Sequence, residues 1–514
     1  MLSSGCDDDD GGVVSVNPPD PKPLINRSLS VLSLNASDGE VVTETISVSL
    51  KDADGNDPDT TSDADGNAAS SFSVTSGSLM FAYDAEAALP VTFTVTASAS
   101  GFVSSTFEIT VEDEGATSAN QSLVAFDNTP DGVEVTEEQV GFATATGAIS
   151  DPIEIGSAKL RTAEAQITAG AGTILTDANG DPLFGQITAA FGTFNVTIAA
   201  VLDLFPGSFE ALVDEALRPF IVASFAYFEI TDASGDKAAS VSSPFTVELD
   251  IAAGTVNPNT GEATAIGDEV GIFGFNSTTG TWTQLGTATA QDGDGGSRTI
   301  TFTTDHIGFI AAGWTITNFC ATSRTIQVNG GNDRGITVTI GADNLGFRQS
   351  QDIDGEEGDT LTFPSLPGEF PLDLVFTLTG SNEVLVENGE IVDFCDGNVI
   401  VVAVSPPAVT TGSVSVSAEE VCRNNTSESA VLPSAHIFVR RSGGTWQFVG
   451  ETDADGMLSA SEVQTGNYEI RAVRGDQSST VSVTVSEDAE ATASLEVESA
   501  EDCTVNTGST GSSE

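Results

Sequence analysis

Apolar residues that recur at every second position, in short runs closed by Asp- and Gly-rich turns, constrain this chain most. Ile46, Val48 and Leu50 alternate with polar residues, as do Val91, Phe93 and Val95, and then Phe107, Ile109 and Val111. Period two places one set of side chains in a core and the other in water, the signature of a half-buried β-strand. The punctuation repeats one chemistry: Asp52-Ala53-Asp54-Gly55-Asn56, Asp63-Ala64-Asp65-Gly66-Asn67 and Thr176-Asp177-Ala178-Asn179-Gly180-Asp181-Pro182. In such turns Asp and Asn bond nearby backbone and Gly supplies positive φ. Short strands between turn signals predict an all-β chain of sandwiches. At 514 residues it exceeds one sandwich, and about three to five domains are expected.

The charge balance narrows the partners. Asp and Glu number 76 against 16 Lys and Arg, a net charge of −60. Nucleic-acid binding needs a basic footprint, which is absent, and direct docking on anionic lipid is equally disfavoured. Such acidity suits solubility, metal cations or salt water, and only four lysines (Lys22, Lys51, Lys159 and Lys237) fit a marine or halophilic setting. No apolar run reaches the roughly eighteen residues of a membrane-spanning helix.

Composition shifts divide the chain into an acidic, Gly- and Pro-rich tether at 1–24, a module at 25–113, a linker at 114–121 and a large module at 122–317. Two smaller modules follow at 318–404 and 413–503, joined by Ser405-Pro406-Pro407 to Gly412, and then a polar tail at 504–514. One helix is predicted in the large module: Ser208 caps it, Phe209, Leu212, Ala216 and Leu217 fall at helical spacing, and Pro219 stops it.

Five cysteines sort by position. Cys6 stands alone, Cys320 and Cys395 bracket one small module, and Cys422 and Cys503 bracket the other. Four cysteines allow three connectivities. Sequential pairing, Cys320–Cys395 and Cys422–Cys503, is the simplest and would close loops of about 75 to 80 residues. The alternative is two pairs of buried free thiols. Disulfides imply an oxidising compartment.

Several segments resemble known families. Met1-Leu2-Ser3-Ser4-Gly5-Cys6, followed by Asp7 to Asp10, resembles the end of a bacterial lipoprotein signal peptide and the acidic export tag of Bacteroidetes-type surface lipoproteins. It departs from the pattern in two respects: the charged and apolar parts that normally precede the motif are missing, and Ser3 fills the customary aliphatic slot. The resemblance implies diacylation of Cys6 and a lipid anchor as the only membrane contact, in the outer membrane at the cell surface. The 25–113 module resembles bacterial immunoglobulin-like domains. In the large module, Asn276-Ser277-Thr278-Thr279-Gly280-Thr281-Trp282-Thr283-Gln284-Leu285-Gly286 and Asp305-His306-Ile307-Gly308 resemble a sandwich of bacterial surface lipoproteins and cartilage-intermediate-layer proteins. In the last module, Thr452-Asp453-Ala454-Asp455-Gly456, then Gly466-Asn467-Tyr468-Glu469-Ile470-Arg471-Ala472, resembles the transthyretin-like, carboxypeptidase-regulatory-like sandwich, and 318–404 resembles a degenerate copy.

Enzyme chemistry finds no foothold in these motifs. The two histidines, His306 and His436, are far apart in sequence, and neither sits in a metalloprotease, P-loop or nucleophile-elbow context. Related sandwiches cleave themselves after a His-x dipeptide by way of a Ser or Thr hydroxyl; here Gly308 follows Ile307 and supplies none, so His306 is expected to be a structural histidine at a strand end. No cofactor is expected beyond a candidate calcium ion. Asp52, Asp54, Asp57, Asp59, Asp63 and Asp65 crowd one stretch, and hard cations want several such oxygens. The competing reading is a pair of ordinary turns. Trp446 and Phe448, on one face of a strand, are candidates for a sugar-stacking platform, against the commoner fate of aromatic core.

The expectation is a non-catalytic, lipid-anchored surface protein for adhesion, envelope scaffolding or capture of a protein or glycan ligand. The alternative is a glycan-binding accessory lipoprotein of a polysaccharide uptake system.

Overall fold

The computed structural model describes residues 15–506 apart from 17, 20–21, 23, 85–86, 112–113, 157–164, 317–318, 321–324, 332–334, 343–344, 354, 364–365, 369, 380–382, 388–393, 396–397, 407–408, 443, 500–501 and 504. The fold is all-β, a series of two-layer sandwiches. Its helical segments are short, among them an α-turn at Ala199–Leu202 and a 3-10 turn at Asp294–Gly296. No helix among those residues is long and apolar enough to cross a membrane.

The first domain packs a five-stranded sheet on a four-stranded one. Ser28–Asn35 is central in the first sheet and Ile46–Lys51 and Val91–Ala99 are central in the second. Ile46, Val48, Leu50, Phe93 and Val95 point into the shared core, as their alternation predicts. The linker expected at 114–121 is instead the start of a strand, Ala116–Ala125, paired in parallel with Ser28–Asn35. Its first half is polar because those side chains are only partly covered. Backbone pairing to a central strand holds it, and Leu123, Val124 and Ala125 anchor its end in apolar cores.

The large module sets a seven-stranded sheet against a five-stranded one. The expected helix over 208–219 is a hairpin, Glu210–Val213 turning into the long strand Ala216–Thr231. Apolar spacing there fits both periods. Phe209, Ala211 and Val213 are buried while Leu212 and Leu217 are exposed, which is period two. Parallel pairing of Ala211 and Leu212 with Trp282 and Thr283 decides the matter. Trp282 is fully buried, stacks on Phe205 and donates its ring N–H to the Pro206 carbonyl at 2.8 Å.

The 318–404 module shares the large module's core, with Phe347 against Phe209 (5.5 Å between centroids) and Arg348 paired with Asp203 at 2.7 Å. The last domain has its own core of Val414, Val416, Ile437, Ile470, Ala472 and Leu495. Cys320 is bonded to Cys395 and Cys422 to Cys503. The first domain also touches the large module: Gly207 donates its N–H to Thr106, and Thr96 donates to Ser277. Near the two ends, Ser15–Val16 pairs antiparallel with Val505–Asn506. The chain is therefore no linear string, because its last domain folds back onto its first.

Candidate functional site: the joint between first and last domains

Ser28–Asn35 is buried along nearly its whole length. Leu29 and Val31 face the first domain's core, whereas Leu32 and Leu34 face outward into a separate apolar cluster with Met80, Phe438, Trp446 and Val473. The last domain supplies the opposing surface from His436–Arg441, Gln447–Glu451 and Gly466–Arg474. On those strands Ile437, Ile470 and Ala472 point into the domain's own core, and the residues between them point at the first domain. The joint is thus two sheets packed face to face, each already carrying a sandwich on its other side.

Polar groups fix its register. His436 is fully buried, with Nε2 2.6 Å from Ser28 Oγ and Nδ1 2.6 Å from Ser30 Oγ. A neutral imidazole satisfies both, donating to one hydroxyl and accepting from the other. Burial, reinforced by the Arg474 charge, pushes its pKa from 6.5 down to about 3. Arg471 donates to the Ser76 carbonyl and to Ser78 Oγ, and Arg474 to the Ala64 carbonyl. Burial depresses both guanidiniums, Arg471 to about 10. Arg440 pairs with Glu40 at 2.7 Å, Asn120 donates to the Trp446 carbonyl at 2.8 Å, and the Met80 N–H donates to the Gly475 carbonyl at 2.7 Å. The Ile25 N–H donates to Ser434 Oγ at 3.0 Å.

The residues proposed from sequence for binding fall elsewhere than expected. Trp446 is 2% exposed and Phe448 packs against the same cluster, so they form no open sugar platform; the first domain covers them. The six aspartates of the 52–65 segment do not converge. Asp52 Oδ1 accepts the N–H groups of Asp54 and Asn56, and Asp63 Oδ1 those of Asp65 and Asn67. Lys51 pairs with Asp57 and Lys22 with Asp65, both at 2.8 Å. Among the described residues no group of three or more His, Cys, Asp or Glu side chains is gathered as a metal site. The 52–65 segment forms two Asx-type turns, a build that recurs at Asp177, Asp232 and Asp453, and calcium held by Asp52, Asp54, Asp57, Asp59, Asp63 and Asp65 stands as an expectation.

Asp177 is held below the usual carboxylate range, chiefly by the Asp181 N–H; in Asp63 and Asp232 partial burial pushes upward and the summed hydrogen bonds outweigh it. His306 lies at a strand end with Nε2 3.0 Å from the Phe309 carbonyl, and burial lowers its pKa. Cys6 lies outside the described residues.

Sequence reasoning missed the joint altogether, although it left a trace. Ser28-Leu29-Ser30-Val31-Leu32-Ser33-Leu34 carries large apolar residues on both faces from Val31 onward, which one half-wet sheet cannot account for. Met80 between Leu79 and Phe81 is a second such break.

No family model matches the chain, and no curated protein matches it. Several solved structures align over β-rich segments. A minor pilin of Streptococcus agalactiae aligns at 12% identity over 36% of this chain and 99% of its own, with a TM-score of 0.18. The major pilin subunit of Bacillus cereus aligns at 10% identity over 92% of this chain and 100% of its own, with a TM-score of 0.15. The TIE protein of Bacillus anthracis aligns at 11% identity over 72% and 75%, with a TM-score of 0.15. Scores this low do not establish a common arrangement of domains.

Proposed function

We propose that the chain is a non-catalytic surface protein, anchored through a lipid on Cys6, that presents its sandwich loops to a partner in adhesion or envelope scaffolding. The observation that carries this reading is the pair of disulfides combined with the joint. Disulfides of this kind belong to oxidising compartments. The joint turns serial domains into one body whose turns are fixed relative to one another. His436, fully buried, and Arg471, which donates to Ser76 and Ser78 of the first domain, are both spent on that joint. The glycan-uptake alternative loses the support it had from Trp446 and Phe448.

The test is made in the producing cells. Mass spectrometry of the N-terminal peptide is expected to find a diacylglycerol-modified Cys6, and Cys6→Ala is expected to release the protein into the medium with its fold intact. Protease added to whole cells should degrade the wild-type protein. An unmodified Cys6, or a protein that stays protected in intact cells, would overturn the reading.

A further inference from the structure

We propose that the joint between the first and last domains is an acid-released latch, with His436 as its trigger. The contact geometry carries this. His436 stands on the outward face of its strand, next to Ile437, which points into the last domain's core. Its two hydrogen-bond partners, Ser28 and Ser30, both belong to the first domain. The imidazole is therefore sealed from water by a surface that can leave, and leaving returns it to solvent.

The charges around it make protonation in the closed state unfavourable. Both ring nitrogens are occupied by hydroxyls, and among the described residues no carboxylate pairs with the ring. Across the neighbouring strands its register partners are Glu451 and Val473. Arg474 follows Val473, and Arg471 and Arg440 lie on the same joint. The first domain brings Glu40, engaged by Arg440, and Asp65, engaged by Lys22, which also lies 3.7 Å from Glu420. An imidazolium would add a second buried cation beside Arg474, with no contacting anion of its own among the described residues.

The direction follows from linkage. His436 binds its proton near 6.5 when free and only near 3 when buried. In that window the open form takes up the proton and the closed form does not, so closure is fully favoured above 6.5 and weakens as pH falls. Each unit below about 6.5 moves the closed-to-open ratio roughly tenfold toward open, until the pH nears the buried value. Glu451 acts in the opposite sense: burial raises its carboxyl, so its protonation favours the closed form. It tempers the latch and does not drive it.

The test uses the full chain at constant ionic strength. Small-angle scattering and acrylamide quenching of tryptophan fluorescence are followed from pH 7.5 to 4.5. The expected result is a rise in radius of gyration together with new quenching of Trp446, absent in Trp446→Phe. His436→Gln keeps a neutral hydrogen-bonding side chain and is expected to stay closed at least one pH unit lower. Glu451→Gln is expected to open as readily as wild type. Because the chain has two histidines, His306 and His436, histidine-selective NMR labelling reads His436 directly, even if His436→Gln loosens the joint by itself. Titration of His436 coincident with opening supports the latch. Opening without that titration, titration near 6.5 with the joint closed, a wild-type protein closed down to pH 4.5, or loss of the transition in Glu451→Gln would each overturn it.

Discussion

The guanidinium of Arg440 lies over the indole of Trp446, 4.7 Å from the ring centroid, and from there reaches Glu40 in the first domain. One side chain thus joins a cation–π contact within the last domain to an ion pair across the joint. Glu469 fixes the other side of the same guanidinium at 2.5 Å. Exposed ion pairs of this kind stabilise little by themselves. The apolar cluster beneath carries most of the energy of the contact.

Trp446→Ala is accordingly expected to cost on the order of 3 kcal/mol, because it leaves a cavity in the joint, whereas Trp446→Phe should cost appreciably less. Denaturant unfolding of the two variants checks this. The same alanine variant should migrate like wild type in gels containing oligosaccharides. A Trp446→Ala protein that melts normally but loses retardation by a sugar would reinstate the open platform.

The hairpin at Asp214 and Glu215 gives a stabilising prediction. Both residues have positive φ, 50° and 66°, in a two-residue loop between paired strands. That loop favours Asn followed by Gly. Replacing the pair by Asn-Gly should raise stability by about 1 kcal/mol, read as a higher melting temperature of the large module. A helical 208–219 segment would instead be weakened by the new glycine, so a drop in stability would argue for the helix.

The disulfides close segments with separations of 75 and 81 residues. Loops of that size correspond to about 4 kcal/mol each in the chain-entropy account. Reduction should lower the melting transitions of the 318–404 and last domains and leave the first domain's own core in place. Thiol titration of denatured, unreduced Cys6→Ala protein should find no free thiol; four would refute both bridges.

Chelation should leave the first domain's melt unchanged. Asp52 and Asp63 spend oxygens on their own loops, and Lys51 and Lys22 neutralise Asp57 and Asp65. Millimolar calcium that raised the melting temperature by several degrees, and an acidic-loop variant such as Asp63→Asn that abolished the rise, would show that the loops rearrange around an ion.

What could be read from the chain beforehand follows the range of the interactions. Ile46, Val48 and Leu50 declared their strand because alternation is local. The turns at Asp52 and Asp63 declared themselves because each carboxylate bonds backbone two and four residues on. The 208–219 segment misled because its apolar spacing satisfies both periods, and a strand distant in sequence, Thr281–Thr289, decides between them. Ala116–Ala125 misled because its pairing partner lies some 88 positions earlier, as in Ala116 with Ser28. The joint lies furthest from sequence reasoning. His436 and Ser28 are 408 residues apart, and nothing near either one indicates the other.

Folding the last domain back on the first closes the chain into a loop of domains, with consequences under mechanical load. Traction applied between the first domain and the middle of the chain would divide between two routes. One runs along the backbone from the first domain into the large module. The other crosses the face-to-face sheets, passes through the last domain and returns by way of 405–412. Because the two routes share the strain, neither sandwich bears all of it, and shear across the buried strand Ser28–Asn35 would have to break many contacts at once before the assembly could lengthen.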